Sequence, residues 1–146
     1  MKNLKIAALA IFATATMSAQ DLKTSDVPSN LTNNFQKSYA NAAGVEWEMD
    51  GDNYKVEFDV NKMEHEIWYS KDGTVVKTES EISESELPGA ITSVIKNKYA
   101  GYKVDSIEMT ESNGQKNYEV ELEKGWTKEV KVVFDSTGKV MSSVED

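Results

Sequence analysis

The chain has no cysteine and no arginine, one histidine and two prolines in 146 residues. Without cysteine there are no disulfides, so stability has to come from the core, and no thiol can serve as a nucleophile. Without arginine the bidentate fork favoured by phosphate and carboxylate sites is missing. Cations are scarce in any form: 16 lysines face 25 acids, for a formal charge of -9. Phosphate binding rests on clustered Lys and Arg, so nucleic acid is excluded as the expected partner. Long apolar runs are missing too. The stretch Ile6 to Phe12 is too short for a membrane span.

That stretch follows Lys2 and Lys5 and leads through small residues to Ser18-Ala19-Gln20. This is the pattern of a secretory signal peptide, residues 1–19, with cleavage expected after Ala19 and no cysteine to carry a lipid anchor. The expected location is periplasmic or secreted, with no membrane insertion after cleavage. Removing two lysines and no acids leaves 14 minus 25, a charge of -11.

Two hairpins organise the remainder. Tyr54, Val56, Phe58 and Val60 alternate with Lys55, Glu57 and Asp59, and Tyr118, Val120 and Leu122 alternate with Glu119, Glu121 and Glu123. A period of two marks strands with one buried and one wet face. Ahead of the first hairpin, Leu31, Phe35, Tyr39 and Ala42 form an apolar helical stripe after Pro28, with Gly44 as its expected stop. Val45, Trp47 and Met49 then form a strand, and Thr74 to Glu79 a last one. The order returns about sixty residues later. Val27-Pro28 matches Leu87-Pro88, Tyr39-Ala40 matches Tyr99-Ala100, and Trp47-Glu48-Met49 matches Ile107-Glu108-Met109. Longer turns then move the spacing to 64 and 65.

The expected fold is therefore α+β: two tandem repeats, each a helix plus a four-stranded antiparallel sheet, in one pseudo-symmetric two-layer body. The expected divisions are a polar leader at 20–26, a first repeat at 27–80, a linker at 81–86 and a second repeat at 87–146. This doubled pattern of Val/Leu-Pro helix start, Tyr-Ala helix end, Trp-Glu or Ile-Glu strand and Tyr-x-Val-x-Phe/Leu strand resembles the PepSY-like proteins, which are also described as similar to the β-lactamase inhibitor protein. The resemblance implies tandem helix-plus-sheet units, an exported location and a binding or inhibitory role. It supplies no catalytic residues, and no inhibitory loop is recognisable.

The residues offer little for catalysis. His65 shares parity with Met63, Ile67 and Tyr69 and reads as a partly buried structural histidine. Glu64 and Glu66 point away from it on a strand, so no metal site forms there. Asp50-Gly51-Asp52-Asn53 offers oxygens for calcium but lacks the EF-hand spacing, and the same residues suit a tight turn. No enzyme activity, cofactor or metal is expected. The feature that stands out is the sheet face away from the helices. Parity assigns to it Glu57, Glu64, Glu66, Glu119, Glu121 and Glu129, with Trp68 as an exposed indole among them. Such a face suits a basic protein or peptide with Trp68 as anchor. It equally suits a solvated face whose glutamates blunt aggregation and whose Trp68 lies against lysine stems. The expected function is a non-catalytic exported binding module. The alternatives are an inhibitor or regulator of a periplasmic peptidase or β-lactamase-like enzyme, and a divalent-cation binder.

Overall fold

The computed structural model describes residues 20–145, and the expected signal peptide lies outside them. Nine strands run in chain order: β1 (Gln20–Leu22), β2 (Ala43–Asp50), β3 (Asn53–Val60), β4 (Met63–Tyr69), β5 (Val75–Glu81), β6 (Lys103–Ser112), β7 (Gln115–Lys124), β8 (Lys128–Asp135) and β9 (Val140–Glu145). Helix α1 (Ser29–Ser38) lies between β1 and β2, and α2 (Gly89–Lys98) between β5 and β6. Every strand pairs antiparallel with its neighbours in sequence, in the order β1 to β9.

This corrects the expected fold class. The chain does not build two four-stranded sheets; it builds one nine-stranded sheet carrying two short helices. The joint is β5 against β6, in register from Lys77↔Ser112 to Glu81↔Glu108. Left apart, those strands would each expose a row of unpaired N–H and C=O groups, and pairing them removes two edges. The segment expected as a linker is ordered by the same joint. Glu81 ends β5, the Ile82 N–H donates to the Ile107 carbonyl, and Ser83 and Glu86 cap a 3-10 turn reciprocally.

The polar leader also has structure. β1 pairs Gln20↔Met49, Asp21↔Glu48 and Leu22↔Trp47, the register in which Ser80 and Glu81 meet Met109 and Glu108. Each short 3-10 turn then leads to a proline, and Pro28 and Pro88 hold the φ of -52° and -53° that starts the helices. The helices are shorter than the apolar stripe suggested. Tyr39 leaves helical geometry at φ -130°, and its N–H closes the last turn on the Phe35 carbonyl. Gly44 does not stop the helix. It lies within β2 at φ +61°, where the pairing register with β3 shifts between Ala43 and Glu46.

Both helices pack on the same face of the sheet, each over its own apolar cluster. Leu31 and Phe35 meet Trp47, Val56, Phe58 and Ile67. Ile91 and Ile95 meet Ile107, Val120, Leu122 and Phe134. The opposite face carries no helix, which makes it the place to look for a site.

The β8–β9 turn fastens onto the start of α2. Gly138 has φ +85°, and a Cβ built there would stand 2.9 Å from the Ala90 carbonyl oxygen. Gly138→Ala is expected to cost about 2 kcal/mol, from the left-handed backbone and the clash together. Thermal unfolding checks this, with Gly114→Ala as the contrast, since nothing lies within 4 Å of that position.

Candidate binding face

Register fixes which side chains stand in line across the open face. One row runs Glu46, Glu57, Glu66, Glu79 and Thr110 from β2 to β6, and the next runs Glu48, Lys55, Trp68, Lys77 and Ser112. A third brings Glu81, Glu108 and Glu119 together across the joint.

The second row corrects one expectation. Trp68 does lie on the face opposite the helices, but only 7% of it is exposed. Lys77 Nζ sits 4.2 Å and Lys55 Nζ 5.3 Å from its ring centre. The indole Nε1–H donates to Asp50 Oδ2 at 2.7 Å. Because its strand neighbours are lysines, their stems and charges cover the ring. Trp68 is therefore a floor for the ion pairs around it and not an exposed anchor.

Lys55 is the hub. Its ammonium reaches Glu66 at 2.6 Å, Glu48 at 3.2 Å and Glu57 at 3.6 Å. Burial works to lower its pKa, but the hydrogen bonds and charges of Glu66 and Glu48 outweigh that and hold the pKa raised. Lys77 adds a second cation, paired with Glu79, yet the acids of the face still outnumber the two lysines. Burial pushes the Glu66 carboxyl up to about 7, Lys55 pulls against that, and Glu79 adds to the rise. Burial raises Glu108 too, helped by Glu79 and Glu119. Carboxylate oxygens of Glu57, Glu64 and Glu66 can all lie within 4.8 Å of one another. Beside them, Glu64, Glu66, Glu79, Glu81, Ser106 and Glu108 line an open groove of about 480 Å³ over the β5–β6 joint.

Of the residues singled out by parity, Glu57, Glu64 and Glu66 are brought together at this groove. Glu119 and Glu121 lie farther along and share Lys131, at 2.8 and 2.9 Å. The Lys131 hydrogen bond holds the Glu121 carboxyl below its usual range, and Ser106 donates to Glu121 at 2.9 Å. Glu129 stands apart, exposed near the β7–β8 turn and opposite Glu123. Sequence reasoning missed Lys77, Glu79 and Glu81, because it assigned no face to the last strand, Thr74 to Glu79, and placed Glu81 in a linker. Their own alternation, lysine, acid, acid at every second position, was the available signal. His65 is half-buried, stacked on Phe58 at 5.5 Å with Nδ1 3.0 Å from Ser80 Oγ. The Asp50–Asn53 turn carries the tight β2–β3 connection, with Gly51 at φ +60°. Among the described residues no helix is long and apolar enough to cross a membrane.

Comparison with known proteins places this architecture. Residues 14–77 and 52–142 match the family model described as "Putative beta-lactamase-inhibitor-like, PepSY-like". No curated protein matches the chain. Among solved structures it is similar to a BLIP-like protein from Bacteroides fragilis NCTC 9343, at 25% identity and TM-score 0.59, over 81% of this chain and 86% of that one. A Bacteroides eggerthii DSM 20697 structure described as "putative periplasmic proteins" shares the fold at 19% identity and TM-score 0.64, over 82% and 88%. A DUF2874 family protein from Bacteroides uniformis ATCC 8492 shares it at 20% identity and TM-score 0.63, over 81% and 88%. With matches that together run from residue 14 to residue 142, the chain belongs to the PepSY-like, β-lactamase-inhibitor-like family.

Proposed function

We propose that this protein is a non-catalytic exported binding module whose open sheet face takes a basic protein or peptide. The observation that carries this is the crowding of Glu57, Glu64 and Glu66 on β3 and β4 beside the groove at the β5–β6 joint, where only Lys55 and Lys77 stand among the acids, paired with Glu66 and Glu79. A lysine or arginine side chain laid in the groove would favour the charged form of Glu66, which burial, with a smaller contribution from Glu79, now disfavours, so binding and carboxylate ionisation support each other. Trp68 serves this face from beneath, by holding Lys55 and Lys77 in place. The export reading rests on the amino-terminal pattern ending at Ala19, and the Bacteroides eggerthii relative supports it.

Titration with a lysine-rich peptide tests the proposal. The parent is expected to bind, and Glu64→Lys with Glu79→Lys to bind at least about tenfold more weakly, as truncation of central contacts does. Binding should fall between low and 0.5 M salt, where screening reaches across only a few ångströms. Equal affinity for parent and charge-reversed protein would remove the groove as the site. A calcium titration run alongside separates the cation-binding alternative, which requires a thermal shift with metal alone.

The BLIP-like relative favours a second reading, in which the bound partner is an enzyme and binding regulates it. That reading additionally requires the purified protein to change the rate of a β-lactamase or peptidase.

A further inference from the structure

The two halves of the chain act as controls for each other. Positions sixty residues apart correspond around each helix exit: Tyr39 and Tyr99 end the helices, and Trp47 and Ile107 lie beneath them. At that spacing Ala42 stands where Tyr102 stands. Tyr102 packs against the core under α2, edge-on to Tyr99 at 6.1 Å, with Lys124 Nζ 5.4 Å from its ring centre. Ala42 has no ring to place there. An open groove of about 490 Å³ results, lined by Phe35, Gln36, Tyr39, Ala42, Val45 and Trp47. Its lining is mostly apolar and aromatic, and Val45 is 38% exposed although parity directs it toward the helix side.

A plug of matching chemistry stands elsewhere on the surface. Trp126, at the tip of the β7–β8 hairpin, is fully exposed, with a relative accessibility of 101%. An indole held in water buries none of the apolar surface that makes tryptophan useful, so nothing within the described residues accounts for it. The corresponding tip between β3 and β4, Asn61-Lys62, is shorter and carries no aromatic residue. Trp126 is flanked by Lys124 and Lys128, which face each other across the hairpin. Lys103, which pairs with Glu123, and Lys96 and Lys98 in the last turn of α2 lie at the same corner.

Both features occupy one end of the sheet, because β3 and β7 run in the same direction and both helices end there. A two-fold rotation about an axis beyond that end would bring each plug to the other copy's socket, and such a contact closes on itself. From these observations we infer that the chain self-associates into a dimer in which the Trp126 hairpin of each copy seats in the Phe35–Tyr39–Trp47 groove of the other. The dimer leaves the acidic sheet face free, so this inference stands independently of the proposed function.

Sedimentation velocity on the mature chain, from micromolar to millimolar concentration, tests it. The parent is expected to move from monomer to dimer, with tryptophan emission shifting to the blue as Trp126 leaves water. Trp126→Ala, which touches no core, and Ala42→Tyr, which fills the socket as Tyr102 does, should each weaken association at least about tenfold. Should Ala42→Tyr fail to fold, Val45→Lys replaces it on the same lining. A parent that stays monomeric throughout overturns the inference. So does undiminished association in either folded variant.

Discussion

Phe58→Ala is expected to cost about 3–5 kcal/mol, the usual loss for a buried phenylalanine whose space cannot collapse. Phe58 is 2% exposed and has aromatic neighbours on three sides: Phe35 at 4.8 Å, Tyr39 at 4.7 Å and His65 at 5.5 Å. Two of these come from α1 or its cap and one from β4, so the ring joins the helix to the sheet. Removing it opens a cavity whose walls are fixed by separate elements, and it forfeits two edge-on or tilted ring contacts as well. A small domain has only about 5–15 kcal/mol to lose, so the change should be visible at once as a lower midpoint in urea. The slope of that transition should not change if the variant still unfolds in one step. Val133→Ala, on the open face and only half-buried, is the contrast and should cost under about 1 kcal/mol. A Phe58→Ala protein as stable as that contrast would mean the ring does not join α1 to the sheet.

The same residue shows what could be read in advance. Phe58 sits in a run where apolar and charged side chains alternate without interruption, and a period of two leaves only one register in which the core stays dry. Hence Val56, Phe58, Val120 and Leu122 are all buried on the helix side, as parity required, and Glu57 and Glu121 lie on the other. What parity could not supply was anything fixed by pairing between distant segments. The β5–β6 joint depends on backbone groups, which carry no signature in the side chains, so the two sheets expected from the sequence were one. The strand at Gln20–Leu22 is too short for a periodic pattern and was visible only through its correspondence with Ser80–Ile82. Trp68 illustrates a third limit. Parity gave its face correctly, but exposure depends on the cross-strand neighbours, and those happened to be the two lysines long enough to cover it. The groove under α1 was likewise invisible, because the spacing of sixty sets Ala42 against Tyr102 without showing that the missing ring leaves an opening.

Lys55→Met is expected to cost about 2–3 kcal/mol at pH 8, somewhat less than the loss of one partner from a fully buried ion pair, and much less at pH 5. The methionine keeps an apolar stem against Trp68 but leaves Glu48, Glu57 and Glu66 with no shared cation. The pH dependence follows from Glu66, whose carboxyl is raised from an ordinary 4.5 to about 7, chiefly by burial. In that interval the folded protein holds a proton that the unfolded chain has released. Stability on account of this group is therefore greatest near and below pH 4.5, and it declines as pH rises toward 7. Lys55 opposes that shift, so removing it moves the folded pKa higher and extends the declining region upward. Above it the variant carries an uncompensated carboxylate; below it Glu66 is protonated in parent and variant alike, and the penalty shrinks. Glu66→Gln in the Lys55→Met background should restore most of the loss at pH 8 and little at pH 5, because it removes the charge that Lys55 would have met. Chemical denaturation of the parent, the two single variants Lys55→Met and Glu66→Gln, and the double variant at both pH values closes the cycle. A deficit of equal size at pH 5 and pH 8 would mean that Lys55 acts through packing on Trp68, and that the acids of the open face are held apart by solvent alone.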